Sequence, residues 1–298
     1  MTTAPAPGLP PVLCYHRIGG ALELGVTRVA QAVFERQMAA LARAGWGTLS
    51  LDEFAARVAD PASRRPYPEL LLTFDDGYAS LADNAYPVLA DLGFTATTFL
   101  ITQYVGRLNT WDVRYTRQRL PHLDWSAAEH WRGRGFDFAS HSVSHARLTW
   151  LSDAAVTGEL EQSRRALVAR LGPGAGRAIA YPFGACDGRV ERAAGAAGYE
   201  LGFGGVRGNG AAGGGRGALR LGRLPVYSWD VGTVPWGLRT DGLGRLARAA
   251  AQIANRCAVG TSVMRKLRWG RAAVTADSPC PPPLPSRDIP YPRRSSSP

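Results

Sequence analysis

Two carboxylates and two imidazoles carry most of the chemistry that can be read from this chain. Leu70-Leu71-Leu72-Thr73-Phe74 runs directly into Asp75-Asp76-Gly77-Tyr78. Adjacent carboxylates at the end of an apolar segment repel each other and lose hydration, so a nearby cation is the expected compensation. Asp-Gly is also common turn chemistry, and taken alone it reads as a turn. The second signal is His141-Ser142-Val143-Ser144-His145, two of the five histidines, just after another apolar run. Their i, i+4 spacing predicts both imidazoles on one face of a helical turn, as in other His-x-x-x-His metal sites. With Asp76 they offer two neutral nitrogens and one carboxylate oxygen. That donor set suits Zn²⁺, with Co²⁺, Ni²⁺ or Fe²⁺ as alternatives. Three protein ligands leave positions for water and substrate, which points to a catalytic metal.

The elements that must position these groups alternate regularly. Apolar runs at Pro11–His16, Leu70–Phe74, Phe94–Ile101, Phe136–Ser140, Ala178–Tyr181, Tyr199–Phe203 and Arg223–Val226 predict strands. Helical periodicity falls between or after them at Ala30–Ala44, Leu51–Ala59, Leu81–Leu92, Ser126–Arg134, Asp153–Leu171, Gly188–Ala197 and Leu243–Arg256. Ser152 or Asp153, and Asp124 or Ser126, are suitable helix caps. Such alternation implies parallel strands joined by crossover helices in one domain. Strands apolar throughout, without two-residue alternation, fit a sheet covered on both faces or closed into a barrel. Residues 202–217, GFGGVRGNGAAGGGRG, read as a loop too glycine-rich for regular structure. They do not follow the strand, GxGxxG and helix order of a phosphate cradle.

Length and composition agree with one enzyme-sized core. The 298 residues are 45% hydrophobic and 20% charged, which excludes wholly disordered, collagen-like and coiled-coil chains. The net charge of +11 raises nucleic acid, membrane surface or acidic glycan as partners. Residues 261–298 hold seven basic and two acidic side chains, so +5 of it lies in an Arg/Pro/Ser-rich segment read as a disordered tail. The body carries +6, which is ordinary, and no nucleic-acid partner is expected. The domain reading is an N-terminal extension over 1–10, a catalytic domain over 11–260 and the tail over 261–298. Cys14, Cys186, Cys257 and Cys280 are scattered without a CxxC pair, so neither a disulfide framework nor a cysteine zinc site is expected. The first residues lack the positive and apolar regions of a signal peptide, and no stretch reaches the roughly 18 apolar residues of a membrane span. Read as it stands, the chain is expected to be cytoplasmic; a mis-assigned start codon would leave export open.

Three separated motifs resemble the polysaccharide deacetylases with the NodB homology domain, carbohydrate esterase family 4. Thr73-Phe74-Asp75-Asp76-Gly77 is similar to the family's first motif, His141-Ser142-Val143-Ser144-His145 to its second and Ala180-Tyr181-Pro182-Phe183-Gly184 to its third. Tyr15-His16-Arg17-Ile18, Asn84-Ala85-Tyr86-Pro87 and Gly198-Tyr199 resemble the branch that includes poly-N-acetylglucosamine deacetylases. The resemblance spans about residues 11–230. It implies a distorted (β/α)7 barrel, TIM-like and single-domain, and metal-dependent removal of acetyl groups from an acetylated glycan or amino sugar, N-acetyl rather than O-acetyl. It also implies Asp75 as general base, Asp76, His141 and His145 as ligands of one divalent metal, zinc first, the Phe183 backbone N–H as oxyanion donor, and Tyr181 as a further oxyanion- or substrate-binding residue.

Three departures shape the expectations. Many family members begin the third motif with an arginine that pairs with the catalytic carboxylate; Ala180 stands there, and Arg223 is the candidate replacement. No histidine follows His145, so the proton for the leaving amine must come from Asp75 in reverse, from water, or from His16. The family's fourth motif is not recognisable, with Trp229-Asp230 a loose echo, and Trp111, Trp125 and Trp229 are candidates for stacking on sugar rings. Alternatives to the deacetylase are a degenerate barrel that binds glycan without turnover and a related amidase acting on non-peptide C–N bonds.

Overall fold

The computed structural model describes residues 8–20, 26–64, 68–111, 119–206, 217–239 and 241–254. The expected tail at 261–298, and with it Cys257, Cys280 and most of the N-terminal extension, lies outside these residues.

Seven parallel strands close into a barrel: β1 (Val12–Tyr15), β2 (Glu69–Phe74), β3 (Thr97–Leu100), β4 (Asp137–Ser140), β5 (Ala178–Ala180), β6 (Leu201–Val206) and β7 (Leu221–Pro225). Each pairs with its sequence neighbour. Strand β1 closes the ring by pairing with β2 (Leu13 with Leu72) and with β7 (Leu13 with Leu224). The architecture is the expected distorted (β/α)7 barrel in a single domain. A two-residue strand, Gly47–Thr48, adds to the free side of β2 at Glu69 and Leu70.

Both faces of the strands are buried, which is why they read as continuous apolar runs. Val12, Leu71, Phe99, Ala139, Ala178, Ala180, Leu201, Phe203 and Leu221 form the interior cluster. Their neighbours Leu13, Tyr15, Leu70, Leu72, Phe74 and Phe138 pack outward, against helices that include α1 (Gln31–Arg43), α4 (Tyr86–Asp91) and α5 (Trp125–Arg132). Helix α2 (Leu51–Ala59) plugs the amino-terminal end of the barrel, inserting Leu51 and Phe54 into the interior cluster. Its start is held by a Ser50/Glu53 capping box, by Asp137 at the start of β4, which accepts the Leu51 N–H at 2.7 Å, and by Arg177, just before β5, which pairs with Asp52 at 2.5 Å. One end of the barrel is thus filled, and the carboxyl ends of the strands are left to build a site.

Local differences from the sequence expectation have identifiable causes. The helix expected over Leu81–Leu92 is two: α3 (Ser80–Asn84) and α4, breaking at Ala85 (φ −112°, ψ −54°) because Pro87 lacks an N–H and crowds the turn before it. Helix α6 (Asp153–Leu171) matches its expected bounds, with Ser152 as N-cap and Val156, Leu160, Ser163, Leu167 and Leu171 as its buried stripe. Helix α7 (Gly188–Ala196) follows β5, and residues 242–254 are helical. The loop reading of 202–217 is corrected at its start, since residues 202–206 belong to strand β6. Glycine is required there by close backbone approach: a Cβ on Gly202 would lie 2.8 Å from the Leu219 carbonyl carbon. Residues 207–216 lie outside the described residues. No described helix is long and apolar enough to cross a membrane.

Candidate active site

The site assembles at the carboxyl ends of β1, β2, β4, β5 and β7, from chain segments as far apart as Cys14 and Arg223. Four described non-glycine residues have positive φ, and all four lie here: Asp76 (69°), Ser142 (65°), His145 (58°) and Phe183 (59°). Left-handed backbone at such residues costs of order 1–3 kcal/mol each and persists only where the surroundings enforce it. The expected helical turn carrying both histidines is corrected by the same angles: residues 141–147 form no helix. His141 and His145 converge because the loop turns back on itself at Ser142 and His145.

Asp76 Oδ1 lies 3.4 Å from His141 Nε2 and 3.5 Å from His145 Nε2. Both distances are long for hydrogen bonds. This oxygen is buried and has no hydrogen-bond partner. His141 Nδ1–H donates to the Ala180 carbonyl at 2.7 Å, which directs its Nε2 lone pair at Asp76. A shielded carboxylate oxygen facing two imidazole nitrogens, with no proton shared among them, is a donor set that a divalent cation satisfies. Burial opposes a charge on His141, yet Asp75 and Asp76 raise its pKa, so the pocket favours added positive charge.

Asp75 is engaged differently. The Arg223 guanidinium grips it in a fork, Nη1 to Oδ1 at 2.6 Å and Nη2 to Oδ2 at 2.7 Å, and both residues are buried. Burial would push this carboxyl up, but Arg223, with His141 and His16, holds it well below the usual carboxylate range. The Asp75 N–H donates to the Tyr15 carbonyl at 2.9 Å, so the residue sits in line with β2 while Asp76 turns out of it. The Cys14 thiol lies 3.6 Å from Oδ2.

Cys14, His16 and Asp75 form a second cluster with ligand-type atoms within 4.8 Å of one another, as do Asp76, His141 and His145. The two differ in charge. In the first, Arg223 already occupies both carboxylate oxygens and would repel a cation, and burial together with Asp75 raises the Cys14 pKa, which opposes the thiolate a metal needs. The Asp76 cluster carries neither obstacle. His16 is half-buried, with Nδ1 shielded and without a hydrogen-bond partner.

The ring of Phe183 packs edge-on to His145 at 4.7 Å. Gly184, which follows it, has φ +61°, and a Cβ there would lie 2.5 Å from the Gly205 Cα. The Tyr181 side chain is a correction: it is turned into the outer cluster with Leu148, Leu160 and Val190, and its hydroxyl donates to the Leu219 carbonyl at 2.9 Å. Trp111 is another, because it is buried and cannot offer a face to a sugar. Its ring lies 4.0 Å from that of His145, and its Nε1–H donates to His122 Nε2 at 3.2 Å. Trp125 packs on the core under Arg170, whereas Trp229 remains exposed beside Tyr227.

His122 is the residue that sequence reasoning missed. Its Nδ1–H donates to the Asp76 carbonyl at 2.8 Å, its other nitrogen accepts from Trp111, and Tyr78 stacks on its face at 5.0 Å. Burial lowers its pKa, consistent with a neutral ring fixed in one tautomer. The only signal in the chain was its being one of five histidines; nothing in its local spacing links it to Asp76.

Residues 62–202 match the polysaccharide deacetylase family. YxkH of Bacillus subtilis, provisionally named a polysaccharide deacetylase, is 29% identical over 193 residues, which is 64% of this chain and 63% of YxkH, just under two thirds of that relative's length. Among solved structures, the Streptococcus pyogenes deacetylase PplD, in complex with acetate, superposes with a TM-score of 0.65 at 24% identity, covering 77% of this chain and 96% of its own. IcaB from Ammonifex degensii gives 0.63 at 21% identity, covering 83% and 98%. BC0361, a polysaccharide deacetylase from Bacillus cereus, gives 0.60 at 26% identity, covering 74% and 65%.

Proposed function

We propose, from the premise that this chain is a relative of the polysaccharide deacetylases, that it is a metal-dependent hydrolase removing acetyl groups from a glycan or amino sugar, N-acetyl groups in preference to O-acetyl. The observation that carries the reading is the division of labour between two adjacent aspartates. Asp75 is locked to Arg223, while Asp76 faces His141 and His145 with an oxygen that lacks a hydrogen-bond partner.

In this reading Asp76, His141 and His145 hold one divalent ion, zinc first, with cobalt, nickel or iron as alternatives. When bound, such an ion polarises a carbonyl and makes water more acidic. Asp75 takes the proton from the water that attacks the acetyl carbonyl. Arg223 keeps Asp75 ionised and fixes the carboxylate plane, the duty for which the third motif lacks an arginine at Ala180. The Phe183 main-chain N–H, presented by a left-handed backbone, donates to the oxyanion of the tetrahedral intermediate. Collapse of that intermediate breaks the C–N bond, leaving acetate and an amine that takes up a proton. His16, on the Asp75 side of the pocket with a shielded free nitrogen, is the chosen donor over water or Asp75 in reverse. The Arg223 fork also weighs against a degenerate binding barrel, since it supplies Asp75 with the guanidinium that the third motif lacks at Ala180.

The test is acetate release from N-acetylglucosamine oligomers by protein loaded with Zn²⁺ or Co²⁺, alongside metal content of the wild type and His141→Ala. Turnover that disappears with a chelator and returns with metal is expected. Stoichiometric metal without acetate release from any N- or O-acetylated sugar would refute the activity, and full metal retention in His141→Ala would refute the site.

A further inference from the structure

The loop that carries both histidines is strained, so something must hold it. Its own serines do part of this: the Ser142 N–H donates to Ser140 Oγ at 3.1 Å and the His145 N–H to Ser142 Oγ at 3.2 Å. Further anchors come from outside the loop: the Thr102 and Gln103 N–H groups donate to the Ser142 and Val143 carbonyls at 3.1 Å each, and α6 supplies others. Ser163 is fully buried, bonding Ser140 Oγ at 2.7 Å and donating to the Ser142 carbonyl at 3.2 Å. One turn earlier on the same helix face, Glu159 accepts from three donors at the outer corner of the loop. These are the Val143 N–H at 2.8 Å, the Ser144 N–H at 3.0 Å and the Ser144 hydroxyl. Among the described residues no basic side chain forms an ion pair with this carboxylate, and its hydrogen bonds come from those loop donors.

We propose that Glu159 is a positioning residue for the metal centre: its carboxylate pins the Val143-Ser144 corner and thereby holds His145, the next residue, against Asp76. The inference rests on the metal-centre reading above. A carboxylate is suited to the task because it accepts several charge-assisted bonds at once, two main-chain donors on one oxygen and a hydroxyl on the other. Without it, the Val143 and Ser144 amides turn to water, and the left-handed angle at His145 loses an anchor. Residues that orient metal ligands through the shell behind them typically change affinity by roughly 10- to 100-fold when removed.

The experiment compares full-length wild type, Glu159→Gln and Glu159→Ala. Zinc affinity is read by competition with a chromophoric chelator, the Co²⁺ absorption spectrum reads ligand geometry, and circular dichroism of the metal-free protein reads folding. Glu159→Ala is expected to stay folded, bind zinc about 10- to 100-fold more weakly and show an altered Co²⁺ spectrum. Glu159→Gln, which keeps one accepting oxygen, should recover part of that loss. A folded Glu159→Ala whose zinc affinity stays within about twofold of wild type would overturn the proposal. Should Glu159→Ala not fold, Ser144→Ala removes the hydroxyl arm alone; weaker zinc binding supports the proposal and unchanged binding overturns it. A wild type that binds no zinc would overturn the metal-centre reading and this proposal with it, whereas wild-type binding that survives Glu159→Ala unchanged overturns this proposal only.

Discussion

Replacing Arg223 by methionine tests whether the buried Asp75–Arg223 fork is the electrostatic keystone of the site. The side chains of Arg223 and Asp75 are 6% and 5% exposed. Two unit charges about 4 Å apart at an effective dielectric of about 20 attract by about 4 kcal/mol, and removing one partner of a buried pair costs about 3–5 kcal/mol because the other is left uncompensated. Urea unfolding at pH 7 should therefore show Arg223→Met destabilised by about 3–5 kcal/mol. The sign with pH follows from the depressed Asp75 pKa: the pair's contribution is complete above the ordinary value of 3.8 and is lost as pH falls through the lower folded value. At pH 7 the whole contribution is read. Asp75→Asn strands the guanidinium instead, and the double variant Asp75→Asn/Arg223→Met removes both charges. The double variant should be more stable than the sum of the single losses by about 2–4 kcal/mol. Arg223→Lys keeps a charge but not the fork, and should lie between wild type and Arg223→Met. Acetate release in Arg223→Met should fall about 10²- to 10⁴-fold, the usual range for losing a general base. A cost below about 1 kcal/mol, or strictly additive single losses, would refute the reasoning.

Three further outcomes follow from particular contacts. Burial raises Asp230 from 3.8 to about 6, while its carboxylate accepts the Trp236 N–H at 2.9 Å. The fold therefore holds this proton more tightly than the unfolded chain does, and stability should fall as pH rises from about 4 to about 6. The shift caps the effect at about 3 kcal/mol, and Asp230→Asn should flatten that segment of the pH–stability curve. Gly184→Ala combines φ +61° with a Cβ 2.5 Å from the Gly205 Cα, so a loss of at least about 2 kcal/mol in thermal or urea unfolding is expected. Trp111→Ala removes the ring over His145 and the donor to His122; it should cost about 3–5 kcal/mol and weaken zinc binding, while Trp111→Phe should restore part of the packing but not the hydrogen bond.

Much of this was legible in the chain because barrel physics writes itself into short stretches. Strands buried on both faces must be apolar throughout, and all seven were visible as such runs, including Leu70–Phe74 and Ala178–Tyr181. Asp75, Asp76, His141 and His145 stood out because titratable residues directly after apolar strands need a reason to be there. Arg223 was visible as the candidate partner of Asp75 because Ala180 leaves the third motif without its arginine. What could not be read depends on distant segments meeting. His122 reaches Asp76 across 46 positions, and Tyr181 is drawn outward by the Leu219 carbonyl. The i, i+4 spacing of the histidines suggested a helical turn because spacing carries no information about the left-handed angles that the loop adopts. Glycine-rich 202–206 was misread because loops and tightly approached strands favour the same residue.

If the proposed activity holds, closure of the ring by β1 also governs when it can appear. Asp75 and its guanidinium partner are 148 positions apart, and β1 meets β7 only after residues 221–225 have been made. A growing chain that ends before Arg223 already contains both aspartates and both histidines, yet it holds Asp75 without a counter-charge in a ring that is still open. Such intermediates should lack hydrolytic activity, and recovery of acetate release during refolding should track the last pairing step rather than the appearance of helices. On that reading activity is conditional on complete synthesis of the barrel, with the buried ion pair linking the carboxyl end of β2 to β7.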